Sequence, residues 1–105
     1  MDRDNTQPIA LITGASQGIG KAMAHYLANK GFKLALLARN KNKLLQVAQE
    51  LHLPAEHLLI LDIDVTDYDK VEHAINKIIT YYGKLDVALL NHGIYKKSFF
   101  NKKKI

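Results

Sequence analysis

A chain of 105 residues with 48% hydrophobic content suits one domain with a modest core. It has no cysteine, which excludes a disulfide framework and thiolate metal ligation, and no apolar run of transmembrane length. The net charge of +5 sits entirely in residues 95–105, which hold five lysines and no acid, whereas residues 1–94 balance ten basic against ten acidic side chains; that distribution argues against a nucleic-acid-binding body.

The start, Met1-Asp2-Arg3-Asp4-Asn5, is polar and unlike a signal peptide, so a soluble cytoplasmic protein is the expectation. Ile9 to Thr13 reads as a buried parallel strand: short, apolar and followed by glycine. The first helix follows, with Ile19, Ala22, Met23, Tyr26 and Leu27 at the spacing of one helical face, and Gly31 as its stop. Leu34 to Ala38 is the second strand. Asn40 is the expected N-cap of a second helix whose face is Leu44, Val47, Ala48 and Leu51, ended by Pro54. Leu58 to Ile63 is the third strand. Thr66-Asp67-Tyr68-Asp69 resembles a capping box with Asp in place of Glu. The third helix carries Val71, Ala74, Ile75, Ile78 and Ile79 and closes at Gly83. Leu85 to Leu90 is a fourth strand, ending at Asn91-His92-Gly93.

Strand and helix alternate throughout, which implies a parallel sheet, because parallel neighbours need crossover connections. The last segment, 95–105, is of another kind: Lys, Phe, Asn, Tyr and Ile with one Ser, residues nearly all of which can be spelled by A- and T-only codons. Two readings stay open for it, an out-of-register end and a solvated basic terminus. Either way it is expected to be a disordered tail outside a domain of residues 1–94.

The stretch from Leu11 to Gly20 organises the chain. A strand, a glycine turn and a helix suit a phosphate, because the first amides of a helix lack intrahelical partners and the dipole is positive there. Gly14 lets the chain turn off the strand, Gly18 lets a pyrophosphate approach the backbone, and Gly20 lets helix and strand pack closely. Asp62, Asp64 and Asp67 invite a metal reading, but no histidine partners them at ligand spacing. The bland reading of these acids is a loop of turn formers and helix caps, to which Asp67 and Asp69 are assigned. His25, His52, His57 and His73 show no catalytic spacing and are expected to be satisfied or on the surface.

Together these residues resemble the N-terminal half of the short-chain dehydrogenase/reductase family. Thr13, Gly14, Gly18 and Gly20 match its Thr-Gly-x-x-x-Gly-x-Gly turn. Asp64 and Val65 match the Asp-hydrophobic pair that reads adenine, and Leu90-Asn91-His92-Gly93 stands in register with its Asn-Asn-Ala-Gly; Asp86 fits as well. The match covers residues 8–94. It implies a three-layer α/β domain: part of a Rossmann-like doubly wound parallel sheet, about four strands in order 3-2-1-4. The implied cofactor-binding set is Gly14, Ser16, Gln17, Gly18, Ile19 and Gly20, then Arg39 and Asn40, Asp64 and Val65, and Asn91 and Gly93.

The end of the second strand selects the cofactor. An acid there would hydrogen-bond the ribose 2′-hydroxyl of NAD. This chain has Ala38 and then Arg39, which suits the 2′-phosphate of NADP, so NAD is the second choice. The competing reading of Arg39 is a solvated surface arginine. Gln17 stands where many NADP-preferring relatives carry a basic residue. His92 replaces the family's alanine.

The resemblance implies hydride transfer between NADP(H) and a carbonyl or alcohol. The family's catalytic serine, Tyr-x-x-x-Lys pair and supporting asparagine follow the fourth strand and the helix after it, and these 105 residues contain no match there. Tyr26 and Lys30 have the spacing but precede the second strand; Tyr26 is expected on the core face. No catalytic residue is therefore assigned. The expected partner is a dinucleotide, with no nucleic acid and no membrane. The apolar fourth strand is expected to be an exposed edge open to pairing with another chain, leaving the isolated chain marginally stable. The alternative function is a non-catalytic nucleotide-binding remnant or subunit-pairing module, and a nucleic-acid role would rest on the tail lysines alone.

Overall fold

The computed structural model describes residues 7–64 and 66–90. Val65, Asn91, His92, Gly93 and the 95–105 tail lie outside the described residues. The elements run β1 (Ile9–Thr13), α1 (Gly18–Asn29), β2 (Lys33–Ala38), α2 (Lys41–Leu51), β3 (Leu58–Asp62), α3 (Tyr68–Tyr82) and β4 (Val87–Leu89). A short 3-10 turn, Ala55–His57, precedes β3.

The four strands form one parallel sheet, as the alternation of elements implies, in the order β3-β2-β1-β4, as the family resemblance implies. β1 pairs with β2 from Ile9 opposite Lys33 to Thr13 opposite Leu37, and with β4 from Ala10 opposite Val87 to Ile12 opposite Leu89. β2 pairs with β3 from Leu34 opposite Leu58 to Ala38 opposite Asp62. All of β1 and β2 is buried, so neither strand shows polar alternation; both faces are covered. Ile9, Leu11, Ala35 and Leu37 pack against Val71, Ala74, Ile75 and Ile78 of α3. Ala10, Ile12, Leu34 and Leu36 meet Ala24 and Leu27 of α1 and Leu44 and Val47 of α2 on the other face. The result is three layers.

Helix ends follow from local chemistry, with three departures from the sequence reading. Asn40 caps α2 as expected, accepting from the Lys43 amide at 3.0 Å. Asp67, not Thr66, caps α3: its Oδ1 accepts from the Asp69 and Lys70 amides at 3.1 and 3.3 Å. Thr66 instead donates its hydroxyl to Asp64 at 2.6 Å, which removes it from the cap. α2 stops at Leu51 because His52 adopts the left-handed region, φ 53°, before Pro54 is reached. The largest departure is the facing of α1. Gly20, Ala24 and Leu27 are buried, while Ile19 is 73% and Tyr26 55% exposed and Ala22 is also exposed. Leu27 and, in part, Met23 of the expected face do meet the core, while Ile19, Ala22 and Tyr26 turn away, for a reason given below.

At the opposite end of the strands, Asp86 binds β1 to the start of β4. Its Oδ2 accepts from the Ile9 amide at 2.8 Å, and the Asp86 amide donates to the Ile9 carbonyl at 3.0 Å. Beside it the Lys33 ammonium sits 5.7 Å from the Tyr82 ring centroid. The Tyr82 hydroxyl is buried with no hydrogen-bond partner among the described residues. Burial, with Tyr81 adding, pushes its pKa from 10.0 up to about 12. The folded chain thus favours the neutral phenol, so this contribution to stability is intact below pH 10.0 and is lost as pH rises through about 12. Tyr82→Phe should remove an unpaired hydroxyl yet keep the ring under Lys33. It should raise stability at pH 7 by about 1 kcal/mol and flatten the alkaline decline, read from urea unfolding between pH 7 and 12.

Candidate functional site

At the carboxyl end of the sheet, β1 gives way to a turn that closes on its neighbours. The Thr13 hydroxyl donates to the Leu89 carbonyl at 3.4 Å and the Ala15 amide to the Leu37 carbonyl at 3.3 Å, so the turn is held from both sides. Gly14 and Gly18 have φ of 63° and 61°, conformations that side chains rarely tolerate. Above Gly18 there is open space: an added Cβ would meet nothing within 4 Å. Gly20 is the reverse case. A Cβ there would run into the Gly14 carbonyl oxygen, lie 2.7 Å from its carbon and 3.1 Å from the Ala15 Cα. The absence of a Cβ lets α1 settle on the turn, and that contact sets the rotation of the helix. Gly20 and Ala24 therefore face inward, and Ile19 and Tyr26 turn outward.

The N-terminus of α1, unlike those of α2 and α3, has no side-chain cap. Its N-cap residue, Gln17, is extended and makes no side-chain cap bond, and the first turn holds no acid. No side chain competes for the leading amides, which carry the positive end of the dipole. Across a groove of about 580 Å³ stands the end of β2. Gly14, Ser16, Gln17, Gly18, Ile19 and Gly20 form one wall, and Ala38, Arg39, Asn40 and Lys43 the other. The structure thus brings eight of the expected site residues into one groove. It adds Lys43, which the sequence reading missed, although a lysine in the first turn of a helix stands against the dipole and was a usable signal. Among the described residues, two cations and no carboxylate line the groove. The walls are tied together at the back, where Glu50 of α2 lies 2.9 Å from His25 Nε2 and 3.5 Å from Lys21 Nζ of α1. The hydrogen bond from His25 holds the Glu50 carboxyl below its usual pKa.

Asp64 does not line this groove. Its Oδ1 accepts from the Thr66 amide at 2.9 Å and from the Thr66 hydroxyl, so the carboxylate closes its own turn. These bonds, first of all the one from the hydroxyl, lower its pKa, and the charges of Arg39 and Lys70 lower it further. A smaller cavity of about 270 Å³ lies between β3 and α3, over Leu61, Ile63 and Ala74, and contains none of the expected site residues. Tyr26 and Lys30 are far from a catalytic arrangement: the ammonium sits 5.4 Å from the ring centroid on the exposed side of α1, and neither lines the groove.

The groove suits phosphate groups. It offers uncapped helix amides, open space over Gly18 and two cations on the facing wall.

Fold and groove define the class: a parallel α/β domain of the Rossmann type, with a glycine turn at the switch point between β1 and β4. Residues 8–105 match the sequence model of the short chain dehydrogenase family, and the chain belongs to that family. An uncharacterized oxidoreductase of Listeria monocytogenes is 40% identical over 90 residues, 86% of this chain and 36% of that protein. A metagenomic short-chain oxidoreductase solved in complex with NADP is 30% identical, with a TM-score of 0.74 over 83% of this chain and 39% of the other. An NADPH-dependent reductase involved in bacilysin biosynthesis is 33% identical, with a TM-score of 0.71 over 79% and 34%. The chain spans well under half the length of the curated relatives it matches. Among the described residues, no helix is long and apolar enough to cross a membrane.

Proposed function

We propose that this chain is the NADP(H)-binding portion of a short-chain oxidoreductase, with residues 1–94 as the binding domain. The observation that carries this reading is the uncapped, acid-free N-terminus of α1 facing Arg39 across one groove. The leading amides of α1, from Gly18 to Gly20, hold the diphosphate, and Gly18 keeps the approach clear. Arg39 takes the 2′-phosphate through a charge-assisted contact. The adenine extends past the groove lining toward Asp64, which the charge of Arg39 reaches, and toward the Val65 amide; Asn91 and Gly93 are the family's positions for the cofactor ribose. The bound cofactor supplies a hydride to a carbonyl carbon or accepts one from an alcohol carbon.

A second reading, binding without turnover, is favoured by one observation. The chain's Tyr-x-x-x-Lys pair, Tyr26 and Lys30, is stacked on itself outside the groove. A phenol far from the reacting carbon cannot act as its acid or base. Titration with NADPH and NADH, followed by nucleotide fluorescence, tests both readings. Saturable binding, at least about tenfold tighter for NADPH, and no reduction of a carbonyl panel are expected. Equal affinities would remove the preference for NADP, no binding would overturn the cofactor reading, and steady turnover would overturn the second.

A further inference from the structure

We propose that Lys43 is the second cation for the adenosine 2′-phosphate, delivered from α2 to the place where the glycine turn has none. The inference rests on the cofactor reading above and deepens it. Gln17, the α1 N-cap residue on the turn side of the groove, has a neutral side chain, so the turn itself offers an extra phosphate no charge. The structure places the Lys43 ammonium at that side chain: Nζ donates to the Gln17 Oε1 at 3.4 Å, across the groove that both residues line. Arg39 lines the same wall four residues earlier. One phosphate can thus be met from the strand end by a planar guanidinium and from the helix by a point charge.

Three observations support Lys43 as a binding residue and not merely a solvated surface lysine. Its backbone is fixed, because the Asn40 carboxamide oxygen accepts from its amide at 3.0 Å. Its charge is uncompensated: among the described residues neither Lys43 nor Arg39 has a carboxylate within ion-pair distance. It also stands in the first turn of α2, which contains no acid, where the helix dipole opposes a cation. A phosphate drawn into the groove would supply the missing counter-charge and displace the weak Gln17 contact. NADH, which has a hydroxyl at that place, gains nothing comparable.

The test is a set of titrations on the full chain with NADPH and NADH. Lys43→Gln should weaken NADPH at least about tenfold and leave NADH within about twofold. Lys41→Gln removes the same charge from the same helical turn outside the groove lining, and should leave the NADPH-to-NADH ratio unchanged. Adding Gln17→Lys to the Lys43→Gln chain returns a cation to the turn and should restore the ratio. Thermal melts of the free variants at or above the parent midpoint are expected, since the removed lysine opposes the dipole; the lost affinity is then not lost folding. If the parent prefers NADPH and Lys43→Gln keeps that preference, the role of Lys43 is overturned while the cofactor reading stands. If the parent binds neither nucleotide, the cofactor reading fails first and this inference with it.

Discussion

Gly20→Ala is expected to destabilise the protein by about 3 kcal/mol or to prevent folding, measured by urea unfolding. In an unconstrained helix the same change stabilises by up to about 1 kcal/mol, so the sign of the result is decisive. The new methyl would collide with the Gly14 carbonyl oxygen and lie 2.7 Å from its carbon, both backbone atoms of a turn. That turn is held by the Ala15 bond to Leu37 and the Thr13 bond to Leu89, so it has little room to yield. Any surviving fold must lift α1 off the turn, which moves one wall of the groove. A variant as stable as the parent would show that α1 does not rest on Gly14.

Arg39→Glu is expected to weaken NADPH binding by roughly a hundredfold and to leave NADH unchanged or slightly tighter, measured by the nucleotide titrations. The substitution removes a charge-assisted contact and sets a carboxylate against the 2′-phosphate, whereas the same carboxylate can accept from the 2′-hydroxyl of NADH. Arg39 is exposed at the end of β2, so the fold should not change. A second readout is independent of cofactor. Arg39 is one of the two cations that lower the Asp64 pKa, so in the variant that carboxyl should titrate at higher pH. Parallel losses for both nucleotides would assign Arg39 to general folding or diphosphate attraction and not to the choice between them.

Much of this arrangement is readable from residues because its causes are local. Apolar runs bounded by glycine and polar residues yield the four strands, and the alternation of strand and helix yields parallel order. Asn40 caps α2 because its side chain needs only the amide three residues on. The glycine turn is readable because each glycine answers a backbone demand, a positive φ at Gly14 and Gly18 and close approach at Gly20. What sequence spacing misplaces depends on neighbours distant in the chain. The period of α1 is correct, but its rotation is set by contact with Gly14, so Ile19 and Tyr26 are exposed against expectation. Asp64 lies outside the groove because Thr66 engages its carboxylate, and that same bond passes the α3 cap to Asp67. Lys43 stands against the dipole of α2, but what it faces emerges only when the fold sets it beside Gln17, 26 residues away.

The most direct measurement is an NADPH titration of nitrogen-15-labelled protein followed amide by amide. The account predicts that the largest shifts fall on the amides between Ala15 and Lys21, with a second set at Arg39 to Lys43, both saturating at one shared affinity. Saturable shifts confined to α3 or to residues 95–105, with the glycine-turn amides unmoved, would contradict it.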